Sequence, residues 1–105
     1  MAKISPTQNT LKHMRSLGYL CQVVEVWNPH ARRRIDLFGI IDVLCVGNGE
    51  VVGVQATSYT NISSRVKKIT DSEVLPTLRD ADIKILVHGW RKVKNKWTLK
   101  QVDLS

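Results

Sequence analysis

Apolar and polar positions follow two rhythms along this chain, one helical and one alternating. Leu11, Met14 and Leu17 recur at helical spacing. Ser5-Pro6-Thr7-Gln8 precedes them, supplying an N-cap, a proline suited to the first helical position and a residue that completes a capping box. Gly18 fits the stop, so a helix is expected from Ser5 to Gly18. Lys12 and Arg15 occupy its remaining surface, and it carries no acid. Residues 19–27 are rich in β-branched and aromatic types and predict a strand, ended by Asn28-Pro29-His30. A basic loop over residues 31–38 contains Asp36. Gly39 leads into a second strand over residues 40–46. Gly47-Asn48-Gly49 reads as a hairpin turn, because Asn and Gly tolerate positive φ, and residues 50–57 form the third strand.

After Thr57 the rhythm returns to helical, with Ile62, Val66 and Ile69 on one stripe and Arg65, Lys67 and Lys68 off it. Asp71 and Ser72 are candidate caps for a second short helix that Pro76 begins or disturbs. Residues 83–87 predict a strand that alternates into His88-Gly89-Trp90. A basic turn over residues 91–96 then leads to a last strand over residues 97–102. The order is α-β-β-β-α-β with an added terminal strand, an α/β pattern in one domain spanning residues 1–105.

Three polar residues interrupt the apolar strands. Asp42 shares a face of the second strand with Ile40 and Leu44, and Gln55 and Thr57 share a face of the third. A two-residue loop at Asn48-Gly49 pairs Gly47 with Glu50 and, continued, sets Asp42 opposite Gln55. A three-residue loop would turn them to opposite faces. The Asn-Gly pair favours the first, so one polar patch of Asp42, Gln55 and Thr57 is expected. An ionised carboxylate in a dry core is costly unless paired, neutralised or bound to a metal. One reading is a divalent cation held by Asp42, by the Gln55 amide oxygen and by the Ala56 carbonyl. The other is an aspartate hydrogen-bonded to Gln55 and Thr57 in a satisfied polar core.

Charge adds a partner to this picture. The chain has 105 residues, a formal net charge of +7 and a pI near 9.8, which points to an anionic partner such as nucleic acid. The basic residues cluster as Arg32, Arg33 and Arg34, as Arg65, Lys67 and Lys68, and as a stretch that includes Arg91 and Lys92. No apolar run reaches the roughly 18 residues of a membrane span, and the N-terminus lacks a secretory core, so a cytoplasmic protein is expected. Cys21 and Cys45 lack metal-ligand spacing and read as buried reduced thiols. His13, His30 and His88 are widely spaced, which argues against a zinc site. Ser58, Ser63 and Ser64 lack a G-x-S-x-G context. Trp90 and Trp97 flank a basic stretch, where packing is the commoner role and base stacking the alternative.

The element order, with an Asp on the second strand and a D…Q-x-T pattern across the hairpin, resembles the PD-(D/E)XK nuclease superfamily. Size and basicity are most similar to its resolvase-like and small phage-type members. The resemblance implies a restriction-endonuclease-like αβββαβ core with a mixed central sheet and Mg²⁺- or Mn²⁺-dependent hydrolysis of phosphodiester bonds in DNA. It suggests a homodimer, in the host cytoplasm if the protein is phage-encoded. It sets Asp42 at the metal-binding aspartate, Gln55 where the family has an acid, and Thr57 where it has the catalytic lysine. Arg65, Lys67 or Lys68 is then a candidate for a migrated cation, and Asp36 or Glu25 for a second carboxylate, although Asp36 also reads as a loop acid paired with a nearby arginine. Two rival functions are a catalytically inactive nucleic-acid-binding module on the same scaffold and a phage-type protein that engages a host factor.

Overall fold

A computed structural model describes residues 4–105. The first three positions of the expected domain lie outside the described residues. Helix α1 spans Pro6–Ser16 and is capped by Ser5, whose Oγ accepts from the Gln8 N–H at 3.2 Å. It closes as a Schellman motif: Gly18 takes a φ of 95°, and the Gly18 and Tyr19 N–H groups bond back to Arg15 and Met14. The strands are β1 (Leu20–Val23), β2 (Val26–Asn28), β3 (Arg33–Ile35), β4 (Val43–Gly47), β5 (Glu50–Ser58), β6 (Ile83–Val93) and β7 (Lys96–Asp103). Helices α2 (Ile62–Thr70) and α3 (Leu75–Asp80) lie between β5 and β6.

Five strands make a mixed sheet in the order β1-β4-β5-β6-β7. Only β5 and β6 run parallel, and the helical stretch between them is the crossover that a parallel pair requires. One face carries Val43, Cys45, Val52, Val54 and Leu86 and packs on Met14 of α1. The opposite face carries Ile85 and Val87 and packs on Ile62 and Ile69 of α2 and Leu75 and Leu78 of α3. The sheet is therefore the middle of three layers. Cys21 and Cys45 are cross-strand partners, free and buried, as expected. No helix among the described residues is long and apolar enough to cross a membrane.

Four expectations change. The strand expected over residues 19–27 splits: β1 stays in the main sheet, while β2 pairs with β3 in a separate two-stranded ribbon. Arg33 and Arg34 thus sit on a strand rather than in a loop. The strand expected from residue 40 starts at Val43, because residues 40–42 turn to seat Ile41 against the sheet. A Cβ at Gly53 would lie 2.6 Å from Ile41 Cδ1, so the glycine makes the space that Ile41 fills. The basic turn narrows to Lys94 and Asn95, both at positive φ, and Arg91 and Lys92 belong to β6. Finally, Leu17 is 53% exposed, and α1 buries Asn9 and Thr10 beside Met14.

Thr10 faces the sheet because the sheet presents polar groups there. Trp90 Nε1–H donates to Thr10 Oγ1 at 3.0 Å, and Thr10 Oγ1 lies 3.1 Å from His88 Nδ1. His88 Nε2 lies 2.9 Å from Gln101 Oε1. An amide oxygen only accepts, so Nε2 carries the proton, Nδ1 is the free acceptor and the Thr10 hydroxyl donates to it. Every polar atom in this chain of bonds is then satisfied with a neutral imidazole. Burial holds the His88 pKa down to about 4, with the nearby His13 charge acting the same way and the Gln101 bond opposing. Thr10→Val keeps the shape and orphans two buried groups, Trp90 Nε1–H and His88 Nδ1. A loss of about 2 kcal/mol in urea unfolding is expected. A change within error of zero would show that the network contributes nothing.

Candidate metal centre

The site is assembled where the β2–β3 ribbon leaves and rejoins the main sheet. The Val24 N–H still bonds to the Asp42 carbonyl at 2.8 Å, and the chain then departs into β2. Asn28 builds the turn, its Oδ1 accepting from the His30 and Ala31 N–H groups at 2.9 and 3.1 Å, and Arg32 takes a φ of 51°. The returning strand pairs Val26 with Ile35. One further step of that register brings Glu25 across from Asp36. A tight turn follows, with the Gly39 N–H on the Asp36 carbonyl and the Leu37 N–H on the Ile41 carbonyl, both 2.9 Å. That turn delivers Asp42 to the start of β4.

Glu25, Asp36 and Asp42 each offer one carboxylate oxygen, and the three lie within 4.8 Å of one another. Like charges set opposite one another weaken a ladder. This grouping therefore needs a proton or a cation, and the three acids could hold a metal ion.

The hairpin register is the one expected from Asn48-Gly49, running from Gly47↔Glu50 to Val43↔Val54. Regular pairing stops there. The Asp42 N–H bonds to the Val54 carbonyl at 2.9 Å, and Asp42 Oδ2 accepts from the Ala56 N–H at 3.0 Å. The backbone of β5 thus pins the carboxyl, and Ala56 engages Asp42 through its N–H. Gln55 donates from Nε2 to Asp36 Oδ2 at 3.2 Å and accepts at Oε1 from Lys68 Nζ at 3.1 Å. Lys68 Nζ also lies 3.1 Å from Asp36 Oδ2. A reversed amide would point its NH₂ at an ammonium, so Lys68 fixes the orientation. Gln55, expected as a metal ligand, instead turns its oxygen to Lys68 and holds Asp36. Thr57 is buried and follows Gln55 on the same face of β5. Among the described residues its hydroxyl joins none of the hydrogen bonds that link Asp36, Asp42, Gln55 and Lys68.

Electrostatics distinguishes the two aspartates. Asp42 is pushed up to about 7 by burial, reinforced by its hydrogen bond with Asp36 and by that neighbour's charge. Burial also opposes ionisation of Asp36. There, however, the hydrogen bonds from Asp42, Gln55 and Lys68 win and hold it below the usual carboxylate range. In the absence of metal the proton that the pair retains sits on Asp42 and is lost as pH rises through about 7.

Of the basic residues expected to face nucleic acid, three converge here. Arg33, Arg34 and Lys68 line a cleft of about 230 Å³ together with Ile35, Asp36 and Gly39. Arg34 also pairs with Glu25 at 3.5 Å, so the anticipated arginine partner goes to Glu25 and not to Asp36. Arg32 sits in the ribbon turn and Arg65 is half-buried on α2. Lys67 pairs with Asp71 at 2.9 Å. Arg91 stacks over Tyr59 at 4.2 Å and Lys92 over Trp97 at 5.3 Å, on the part of β6 that runs past the end of β5. The roles of Glu25 and Asp36 follow from the ribbon. Its sequence signal is Asn28-Pro29, which ends the β-prone run before it.

No protein-family model, curated protein or solved structure matches the chain.

Proposed function

We propose that this protein is a divalent-metal-dependent nuclease that hydrolyses phosphodiester bonds of DNA, on a restriction-endonuclease-like core. The observation that carries the reading is the meeting of Glu25, Asp36 and Asp42, drawn from separate turns of the chain, beside Lys68 and an arginine-lined cleft. Hard oxygen ligands suit Mg²⁺ or Mn²⁺, and the three carboxylates would hold it. Such an ion polarises a phosphoryl oxygen and lowers the pKa of a bound water.

The chain's own residues do the rest. Arg33 and Arg34 hold the phosphate backbone, which positions DNA without reading its sequence. Gln55 orients Asp36. Lys68, on α2, supplies the cation that the resemblance places at Thr57. Its ammonium can leave Asp36 to stabilise charge on the phosphoryl group.

The test is cleavage of linear, single-stranded and branched DNA with Mg²⁺ or Mn²⁺. Cleavage is expected for the wild type and lost in Asp42→Ala. Lys68→Met, which keeps the apolar stem, should lower the rate by about 10²-fold or more, with a much smaller effect on binding. No cleavage of any substrate by folded wild type, or full activity in Asp42→Ala, would overturn the reading.

One observation favours a second reading. Glu25 and Asp36 already have cationic partners in Arg34 and Lys68. A binding module without chemistry would satisfy its acids in that way. DNA binding with no titratable metal site would select it.

A further inference from the structure

The β2–β3 ribbon and the turn after it expose apolar side chains that no other element among the described residues covers. Val26 is 67% exposed, Trp27 57%, Phe38 56% and Ile35 39%. They line one groove of about 630 Å³, within the range of about 300–1,000 Å³ typical of ligand sites. The groove is not isolated. Ile35 and Asp36 form its wall on one side and line the Arg33–Arg34–Lys68 cleft on the other. Apolar, aromatic surface is thus continuous with a cationic cleft, and the cleft with the carboxylate cluster.

A ligand that fits all three parts has a flat apolar ring joined to an anionic group. An unpaired nucleotide has that form: the base stacks on an aromatic ring, and its phosphate lies among guanidinium and ammonium groups. A base inside a duplex presents only its edge, so paired DNA leaves the aromatic groove empty. From this continuity we infer that the groove takes an unpaired base next to a phosphate held in the Arg33–Arg34–Lys68 cleft, so that the substrate is single-stranded or locally unpaired DNA. This deepens the proposed nuclease reading and rests on it.

Phe38 adds a geometric reason to assign the ring a role. It adopts a φ of 55°, a left-handed conformation that disfavours a bulky side chain, and it exposes the ring rather than burying it. Packing therefore does not account for an aromatic there, whereas stacking does.

The experiment is a binding cycle between protein and DNA, read by fluorescence anisotropy in EDTA so that no cleavage intervenes. The probes are a short single strand with all bases present and the same strand with one abasic site walked along it. Trp27→Ala removes one exposed ring. Phe38→Asn removes the other with a residue that tolerates positive φ, so a folding failure in one variant leaves the second. Each variant should weaken binding to the intact strand by about tenfold, as should an abasic site at one position. A variant combined with that abasic strand should lose little more than either change alone. Simple additivity at every position, or no loss in either variant, overturns the inference. So does a wild-type dimer that the Trp27→Ala substitution dissociates, because the groove would then be covered by a second copy. Cleavage separates the two proposals. Coupling in the binding cycle without metal-dependent cleavage removes the nuclease reading, and cleavage without coupling removes the base site.

Discussion

Asp42→Asn is expected to make the metal-free protein more stable at pH 8 while abolishing metal-dependent cleavage. The carboxyl is 5% exposed and its pKa is raised from 3.8 to about 7, so at pH 8 the native state holds a charge it would rather neutralise. At about 1.36 kcal/mol per pKa unit the cost is roughly 4 kcal/mol. Asparagine has the same shape. Its Oδ1 can accept from the Ala56 N–H as the carboxylate does, and its NH₂ can donate to Asp36 as the protonated acid does. It cannot supply the charge a divalent cation needs. Urea unfolding in EDTA at pH 8 should show a gain of about 2–4 kcal/mol, the lower figure allowing for imperfect amide geometry. A variant less stable than wild type would show that Asp42 serves packing, and the metal reading would lose its main physical support. The opposition between stability and activity is expected where like charges are gathered for a cation.

Part of this site is legible in the sequence. Asn48-Gly49 fixed the β4–β5 register, because only residues that tolerate positive φ close a two-residue loop there. That register runs as far as Val43 and Val54, and just beyond it the Asp42 carboxyl meets the β5 backbone at Ala56. The acids at Glu25 and Asp36 were legible only as alternatives. Their meeting depends on a ribbon whose returning strand, Arg33-Arg34-Ile35, carries little β signal and is exposed. The role of Gln55 was hidden for a related reason. Alternation places an amide on a face, but which end of the amide points at the acids is decided by Lys68, a residue from another layer. On α1, the apolar stripe mispredicted Leu17 because the sheet beneath offers His88 and Trp90, so the helix turns Thr10 inward. Local patterns show which residues alternate or cap. They do not show what a facing layer needs.

The two perturbed groups on opposite faces of the sheet should hide each other in a pH titration of stability, and removing either should expose the other. His88 has a folded pKa near 4 against an ordinary 6.5. Its depressed value means that stability is present above pH 6.5 and is lost as pH falls toward 4, because the unfolded chain then binds the proton that the folded one refuses. Asp42 is the reverse case. Its folded value of about 7 lies above 3.8, so its contribution is full below pH 3.8 and is lost as pH rises through 7. Across the shared window from about 4 to 6.5 the slopes oppose, and each spans roughly 3–4 kcal/mol in total. The wild type in EDTA should therefore show a nearly flat unfolding free energy over that window. Asp42→Asn should rise with pH across it, with only the His88 slope left. His88→Gln, whatever its absolute stability, should fall with pH, with only the Asp42 slope left. Asp36, held below its ordinary value, acts only under about pH 4 and so leaves the window clear. Parallel profiles for all three proteins would show that neither group titrates as its surroundings dictate. The neutral-histidine network under α1 and the shared proton at the carboxylates would then both have to be abandoned.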